Sequence, residues 1–152
     1  MRNIDFVVRA GEKPPRAFLK KWIPILRKEL LQAELGARRA KALRDASHIS
    51  LVFVSAKEIK QLNKVYRRKS RATDVLSFAP TEPGSLGELV FSLSVLKEQA
   101  AEHDLTLNME LGYMVLHGIL HLLGLDHERS VSEAKRMFRI QDKVFDAVGS
   151  RW

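Results

Sequence analysis

The stretch TLNMELGYMVLHGILHLLGLDH, residues 106–127, contains the segment that decides how this chain folds. Apolar residues lie on every side of the helix that it predicts, and a helix of that kind is buried inside a domain. Thr106 or Asn108 caps the start of this helix, and Gly124 is a natural C-terminal breaker. We therefore expect a central helix that runs to about Leu123, with the rest of the chain packed around it.

Three of the five histidines fall in this segment. His117 and His121 are four residues apart, so their rings project from one helix face, one turn apart, and the helix stop lets the chain bring His127 to a third corner. Each buried polar ring needs a partner, and one shared metal ion supplies all three. Three imidazoles suit zinc, with a fourth position for water, but also copper, nickel or iron, and zinc is our prediction. His48 and His103 lack such spacing and are expected to be surface or core residues.

The segments outside the central helix predict both strands and helices. Short apolar runs at 4–8, 49–54, 74–78 and 88–91 predict four strands. Apolar periodicity predicts a helix over 17–35, interrupted or kinked at Pro24, after which residues 38–45 continue as basic, amphipathic sequence. A further helix is predicted over 95–102. Capping boxes at 55–58 and 130–133 open helices that end near Tyr66 and Val148. We expect one α/β (α+β) domain over residues 1–152, with a small mixed sheet of about four strands covered by helices and the metal-binding helix near the C-terminus.

Composition narrows the class of protein. The chain has 152 residues, no cysteine and a net charge of +8. The lack of cysteine excludes disulfides, thiolate metal ligands and a cysteine nucleophile. The positive charge attracts polyanions such as RNA, DNA or anionic membranes, although it can also serve solubility alone. Because no segment has the length of a signal peptide core or a membrane span, we expect a cytoplasmic protein without membrane association.

A basic loop follows the helix that is predicted to end near Tyr66. A phosphodiester substrate needs cationic stabilisation of its developing charge, and Arg67 is the preferred candidate for that role. Arg68, Lys69 and Arg71 extend the same positive patch and are predicted to bind substrate, the alternative being a solvated basic loop. Near the histidines, Asp126 either orients a ligand imidazole or caps the turn.

The histidine spacing also matches a metallopeptidase motif, in which the glutamate that follows the first histidine is the general base. In this chain that position is Gly118. Glu88, Glu110 or Glu128 would have to take over the role, and nothing in their spacing places them there. The sequence therefore argues against proteolysis and for another hydrolysis, in which the ion lowers the pKa of a bound water toward about 7.

The string His-Gly-x-Leu-His-Leu-x-Gly-x-Asp-His, residues 117–127, resembles the signature of the YbeY family of bacterial endoribonucleases. Residues 62–67 and 73–78 resemble the region of the family ahead of the metal motif, and residues 87–90 stand where the family usually has Gly-Asp-Ile. The resemblance covers about residues 49–127. Glu88 replaces the usual aspartate and Leu125 replaces a common tyrosine.

This resemblance implies a zinc-dependent enzyme that cleaves single-stranded RNA in rRNA processing, particularly 16S rRNA 3′-end maturation, and that takes part in ribosome quality control. It implies one zinc ion per chain on the three histidines, with the small ribosomal subunit and its assembly factors as partners. We predict Arg67, His117 and His121 as catalytic residues; metal-bound water and the RNA 2′-hydroxyl both stay open as the attacking group. The alternative is a non-catalytic, rRNA-binding assembly factor, with a structural metal closed by Asp126 or Glu128 as fourth ligand.

Overall fold

The computed structural model describes Met1, residues 3–67 and residues 75–150, without the side chain of Arg67. The elements of this part of the chain are, in order, β1 (Asn3–Val8), α1 (Arg16–Leu31), α2 (Ala37–Asp45), β2 (His48–Phe53), α3 (Ala56–Arg67), β3 (Leu76–Phe78), β4 (Ser85–Phe91), α4 (Leu93–Glu102), α5 (Leu107–Leu122) and α6 (Val131–Gly149). The predicted mixture of helices with a four-stranded sheet is confirmed.

The strands form one mixed sheet in the order β1-β2-β4-β3, in which β1, β2 and β4 are parallel and β3 runs antiparallel to β4. Side chains alternate between its faces, as the pleat requires. Leu51 and Leu89 pack into a large apolar cluster with residues of α1, α5 and α6. Val52 and Val90 point to the other face and join a smaller cluster under α3.

Helix α5 crosses the large cluster, and most of its length is buried, as the apolar pattern predicts. The indole N–H of Trp22 in α1 donates to the carbonyl of Gly112 at 3.0 Å, which joins α1 to α5 inside the core. The C-terminal half of α5 lies against β3 and β4. None of the described helices combines the length and the hydropathy that crossing a membrane would need.

Helix α1 differs from its prediction in two ways. It ends at Leu31, so the extension to residue 35 is wrong, and Leu35 is buried in the loop that follows. A buried apolar loop residue therefore extended the helical pattern of the sequence beyond the helix. The helix is also continuous through Pro24, so the predicted interruption is wrong, and the alternative, a kink, stays a prediction. Pro24 lies on the exposed side of the helix, where water can solvate the carbonyl that loses its partner.

Side-chain caps fix the starts of three helices as predicted. The hydroxyls of Ser55, Thr106 and Ser130 accept hydrogen bonds from backbone N–H groups three residues later, at 3.0, 3.2 and 3.1 Å. The end of α3 lies one residue beyond the prediction, so the backbone of Arg67 belongs to a helix and its assignment to a loop is wrong.

Candidate metal centre

Two metal-ligand candidates project from the last turns of α5. His117 and His121 lie one helical turn apart, and their Nε2 atoms are 3.1 Å from each other. Their rings meet edge to face with centroids 4.6 Å apart. The predicted convergence of these two rings on one face is therefore present in the structure.

The stop of α5 directs the chain back toward these rings. Gly124 has a φ of +92°, and its N–H donates to the carbonyl of His121 at 2.9 Å, while Leu125 N–H donates to the carbonyl of Leu120 at 3.0 Å. This pair of bonds is a Schellman cap, for which glycine is preferred because an L side chain is strained at positive φ. The loop after the cap brings His127 to the pair.

The ring of His127 lies 5.3 Å from that of His117 and 5.2 Å from that of His121. One ligand atom from each of the three rings lies within 4.8 Å of the others. We refer to His117, His121 and His127 as the histidine trio. All three side chains are half-buried, so the site is accessible from one side.

The histidine trio fits a metal ion on two observations. Zinc–nitrogen bonds of about 2.0–2.1 Å in a tetrahedral site place two ligand nitrogens about 3.3 Å apart, close to the 3.1 Å between the Nε2 atoms of His117 and His121. In addition, Nδ1 of His127 is buried and has no hydrogen-bond partner among the described residues. A buried polar atom of this kind calls for a partner, and it belongs to one of the three rings that converge.

A glutamine of α6 orients the first ring of the trio. Nδ1 of His117 lies 2.8 Å from Oε1 of Gln141, and because an amide oxygen only accepts, Nδ1 carries the proton. That tautomer leaves the lone pair on Nε2, the atom that faces His121. Sequence analysis missed Gln141, although its polar side chain interrupts the apolar face of α6 at a fully buried position.

The same part of α6 supports α5 through a tyrosine. The hydroxyl of Tyr113 donates to Oδ1 of Asp142 at 3.5 Å, one residue beyond Gln141. Burial raises the pKa of Tyr113, so the phenol stays protonated as a donor at neutral pH. The side chains behind His117 are therefore held by contacts between the two helices.

Asp126 caps the turn, which was one of its two predicted roles. Its Oδ1 accepts the backbone N–H of Glu128 at 2.9 Å, and its own N–H donates to Glu133 at 3.1 Å. The hydrogen bond from Glu128 lowers the pKa of Asp126 against the opposing effect of burial, and His121 contributes to the lowering. The turn therefore places a carboxylate charge beside the histidine trio.

No aspartate or glutamate within the described ranges belongs to the candidate ligand group, which consists of the trio alone. The predicted alternatives for a fourth ligand, Asp126 and Glu128, are thus outside it, although Oε1 of Glu128 comes within 4.0 Å of Nε2 of His127. Three protein ligands with one open position are typical of catalytic rather than structural zinc sites.

The structure also explains why position 118 cannot hold a peptidase-type base. A Cβ added to Gly118 would lie 2.7 Å from Cδ2 of Leu89, a fully buried residue of β4. A glutamate there would project into the sheet, away from the ring faces of His117 and His121. The absence of a side chain at Gly118 is therefore needed for close packing of α5 on β4.

Two rings of the trio, those of His117 and His121, line a cleft of about 350 Å³ between α5 and β3, whereas His127 lines a separate depression along α6. His117 and His121 line it from α5, and Tyr66 and Phe78, whose ring centroids lie 5.0 Å apart in an edge-to-face contact, line it from α3 and β3. We call this space the metal cleft; the residues lining it are Tyr66, Val75, Leu76, Ser77, Phe78, His117, His121, Asp126 and Glu128.

The basic residues predicted to bind substrate are not placed by the structure. Arg68, Lys69 and Arg71 lie outside the described residues, as does the side chain of Arg67. The backbone of Arg67 ends α3 directly after Tyr66, which lines the metal cleft. Their assignment to the substrate stays a prediction.

Comparison with known proteins gives consistent matches. A family model described as Endoribonuclease YbeY matches residues 19–149. The chain is 47% identical over 139 residues to the Endoribonuclease YbeY of Bdellovibrio bacteriovorus, covering 88% of this chain and 87% of that protein. It is 38% identical over 123 residues to the Endoribonuclease YbeY of Staphylococcus carnosus, covering 74% and 80%. The solution structure of TM1509 from Thermotoga maritima superposes with a TM-score of 0.64 at 33% identity, covering 99% and 91% of the two chains.

Proposed function

The chain belongs to the YbeY family of endoribonucleases, and from that premise we propose that it cleaves single-stranded RNA at the histidine trio. The observation that carries this proposal is the convergence of three imidazole nitrogens, from rings of which two, His117 and His121, line an open cleft. An open, three-ligand site leaves room for a substrate oxygen or a water.

We propose one zinc ion per chain as the resident metal, because three neutral imidazoles form a typical zinc ligand set. Zinc supplies a Lewis acid for a phosphate oxygen and lowers the pKa of a bound water toward about 7. His117 and His121 would hold the ion from α5, and His127 would hold it from the turn that follows. Gln141 keeps His117 in the tautomer that can bind metal, through the 2.8 Å contact with Nδ1.

Arg67 is proposed to bind the scissile phosphate. It follows Tyr66, a residue of the cleft wall, and a guanidinium can contact two oxygens of one phosphate. Arg68, Lys69 and Arg71 are proposed to bind the neighbouring phosphates of the strand. The net charge of +8 supports a polyanionic substrate, since it attracts RNA over long range.

The biological setting is proposed from the family resemblance. We propose that the whole chain, residues 1–152, acts as one metal-dependent hydrolase domain in the cytoplasm. Its substrate would be rRNA, in 16S rRNA 3′-end maturation and ribosome quality control, with the small subunit and its assembly factors as partners.

The test measures metal content and RNA cleavage in the same samples of wild type and His117→Ala, with His48→Ala as the matched control. A single-stranded fragment from the 3′ region of 16S rRNA serves as substrate. We expect one zinc per wild-type chain and cleavage, both lost in His117→Ala and retained in His48→Ala. Zinc without cleavage by the wild type would favour the assembly-factor alternative, and no metal in any preparation would contradict the proposed site.

Arg67→Ala in the same assay separates metal binding from substrate binding. We expect this variant to keep its zinc and to lose most of its cleavage, because the arginine is proposed to bind phosphate and not the ion. Normal cleavage would remove Arg67 from the mechanism. The 3′ end of the product identifies the attacking group: a cyclic phosphate indicates the RNA 2′-hydroxyl.

A further inference from the structure

A second groove begins at the metal site and runs along the outer face of α6. His127 and Glu128 line it at one end, and Phe138 and Arg139 line it further along the helix. Glu128 also lines the metal cleft, so the two depressions share a border. We call this surface the α6 groove.

Two cations of the α6 groove have no protein partner within the described residues. Lys135 and Arg139 are exposed and lie four residues apart on α6, so their side chains are neighbours on one face. Neither forms a hydrogen bond or an ion pair with another described residue. Arg129 differs, because its Nη1 lies 3.7 Å from Oε1 of Glu133. The two positive charges are therefore available to an anionic ligand.

An aromatic ring lies between these cations and the metal site. Phe138 is 40% exposed, and its ring lies 5.6 Å from the ring of His127. An exposed phenylalanine beside a metal ligand leaves an apolar face open to water, which a flat partner can cover. Nucleobases have such faces, and aromatic stacking with spaced cations is the usual means of holding single-stranded nucleic acid.

The carboxylates of the groove limit where phosphates can lie. Asp142 accepts the hydroxyl of Tyr113, and Glu128 stands at the border with the metal cleft. Phosphates would therefore be held at Lys135 and Arg139, away from Glu128, with a base over Phe138. This arrangement favours RNA over an acidic protein segment, because every nucleotide carries a flat base beside its phosphate, whereas an acidic peptide offers a ring only where it contains an aromatic residue.

We propose that the α6 groove is a subsite for the flank of a single-stranded RNA substrate, in which one base stacks on Phe138 and the backbone phosphates contact Lys135 and Arg139. The inference rests on the proposed function, since it uses the metal site as the point of cleavage. These three residues act as positioning residues that hold the strand beside the trio and do not touch the reacting atoms.

The test compares Lys135→Ala/Arg139→Ala with Lys143→Ala, which removes a charge from the same helix one turn beyond Arg139, outside the groove. Binding of a short fluorescein-labelled oligouridine is measured by anisotropy across a range of salt, and the probe is checked afterwards for integrity. The plot of log affinity against log salt has a negative slope, and we expect the double variant to make it less steep by about 1.4, the value for two lost phosphate contacts. Lys143→Ala should leave the slope unchanged.

The ring is tested with Phe138→Ala, Phe138→Leu and Phe138→Trp. We expect about tenfold weaker binding for Phe138→Ala and a similar loss for Phe138→Leu, which keeps an apolar contact on His127 but cannot stack. Phe138→Trp should restore wild-type affinity, and all three should retain zinc. In cleavage assays we expect KM to rise with little change in kcat, because the lost interaction stabilises the bound substrate and the transition state equally.

Failure of the subsite and failure of the proposed cleavage give different results. If the wild type cleaves RNA and the groove variants match it in affinity, salt slope and KM, the subsite is overturned and the proposed function stands. If the wild type binds oligouridine in a way that depends on Phe138 and Lys135 but cleaves nothing, the subsite stands and the proposed cleavage fails. Affinity restored by leucine as well as by tryptophan would also overturn base stacking.

Discussion

The five histidines of the chain fall into two groups with different partners. His48 and His103 each contact one glutamate, with ring nitrogens 3.0 Å from carboxylate oxygens of Glu82 and Glu110. In the histidine trio the rings face one another instead, and the described ligand group contains no carboxylate. A carboxylate gives one ring nitrogen of each of these imidazoles a partner, whereas a metal cation can bind all three converging imidazoles at once.

The difference shows that the contacts of a histidine, and not its burial, distinguish a candidate metal ligand. His48 is about as buried as His127, with side chains 18% and 27% exposed, yet only His127 has other imidazoles around it. A half-buried histidine beside a carboxylate, such as His48, has a structural explanation already. Substitution of a histidine of the trio should therefore lower the metal content. Substitution of a histidine that contacts a glutamate should leave the metal content unchanged and can affect only stability.

The largest effect is expected for His121→Ala, which breaks the convergence at its shortest contact. We expect loss of the bound metal and a fall in RNA cleavage on the order of 10³-fold, because the remaining two rings leave the ion without a third protein ligand. Metal analysis and cleavage kinetics measure both. Retention of a full equivalent of metal by this variant would show that His121 is not a ligand.

A smaller effect is expected for Gln141→Leu, which removes the acceptor on Nδ1 of His117 at nearly constant volume. Loss of such an orienting contact lowers metal affinity or activity by about 10–100-fold. Gln141→Glu keeps an oxygen acceptor and serves as the control, with affinity close to the wild type. Competition with a chelator measures the metal affinity, and equal values for the leucine variant and the wild type would contradict the orienting role.

His103→Ala should change stability without changing metal content. Glu110 is 2% exposed, and removal of its partner leaves a buried acceptor that costs about 1–3 kcal/mol of unfolding free energy. Denaturant unfolding measures this loss. The double variant His103→Ala/Glu110→Leu should recover part of it, since no buried carboxylate then remains, and metal loss in His103→Ala would break the distinction between the two groups.

The smallest effect is expected for His48→Ala. Its partner Glu82 is 68% exposed, so the pair is screened by water and is worth at most about 1 kcal/mol. Unfolding free energy and metal content should both stay near the wild type. A large loss of stability would indicate that the contacts of His48 at the start of β2 matter more than its ion pair.

Local signals predicted most of the fold correctly. The capping residues Ser55, Thr106 and Ser130 each act within three residues of themselves, and all three caps are present. The errors lie where burial and helicity were confused. Leu35 is buried without being helical, and Pro24 is helical because its side of α1 is exposed.

The candidate site could be predicted only in part. The histidine spacing and Gly124 indicated the trio, because helix pitch and a helix stop are local properties. The metal cleft combines residues of α3, β3 and α5, so no spacing reveals it, whereas the α6 groove is lined by residues of α6 and the turn before it. Gln141 had a signal in its position on an apolar helix face, but its partner could not be read from that face.

By itself the sequence determined the identity and local arrangement of the metal-ligand candidates, since residues 117–127 contain the helix turn, its stop and the return of the chain. Only the tertiary structure decided how each histidine is satisfied. Gln141 is 24 residues from His117 and Glu82 is 34 residues from His48. Contacts over such separations depend on how α6 packs on α5 and how the β3–β4 turn meets β2, which are matters of packing between elements and not of propensity within one.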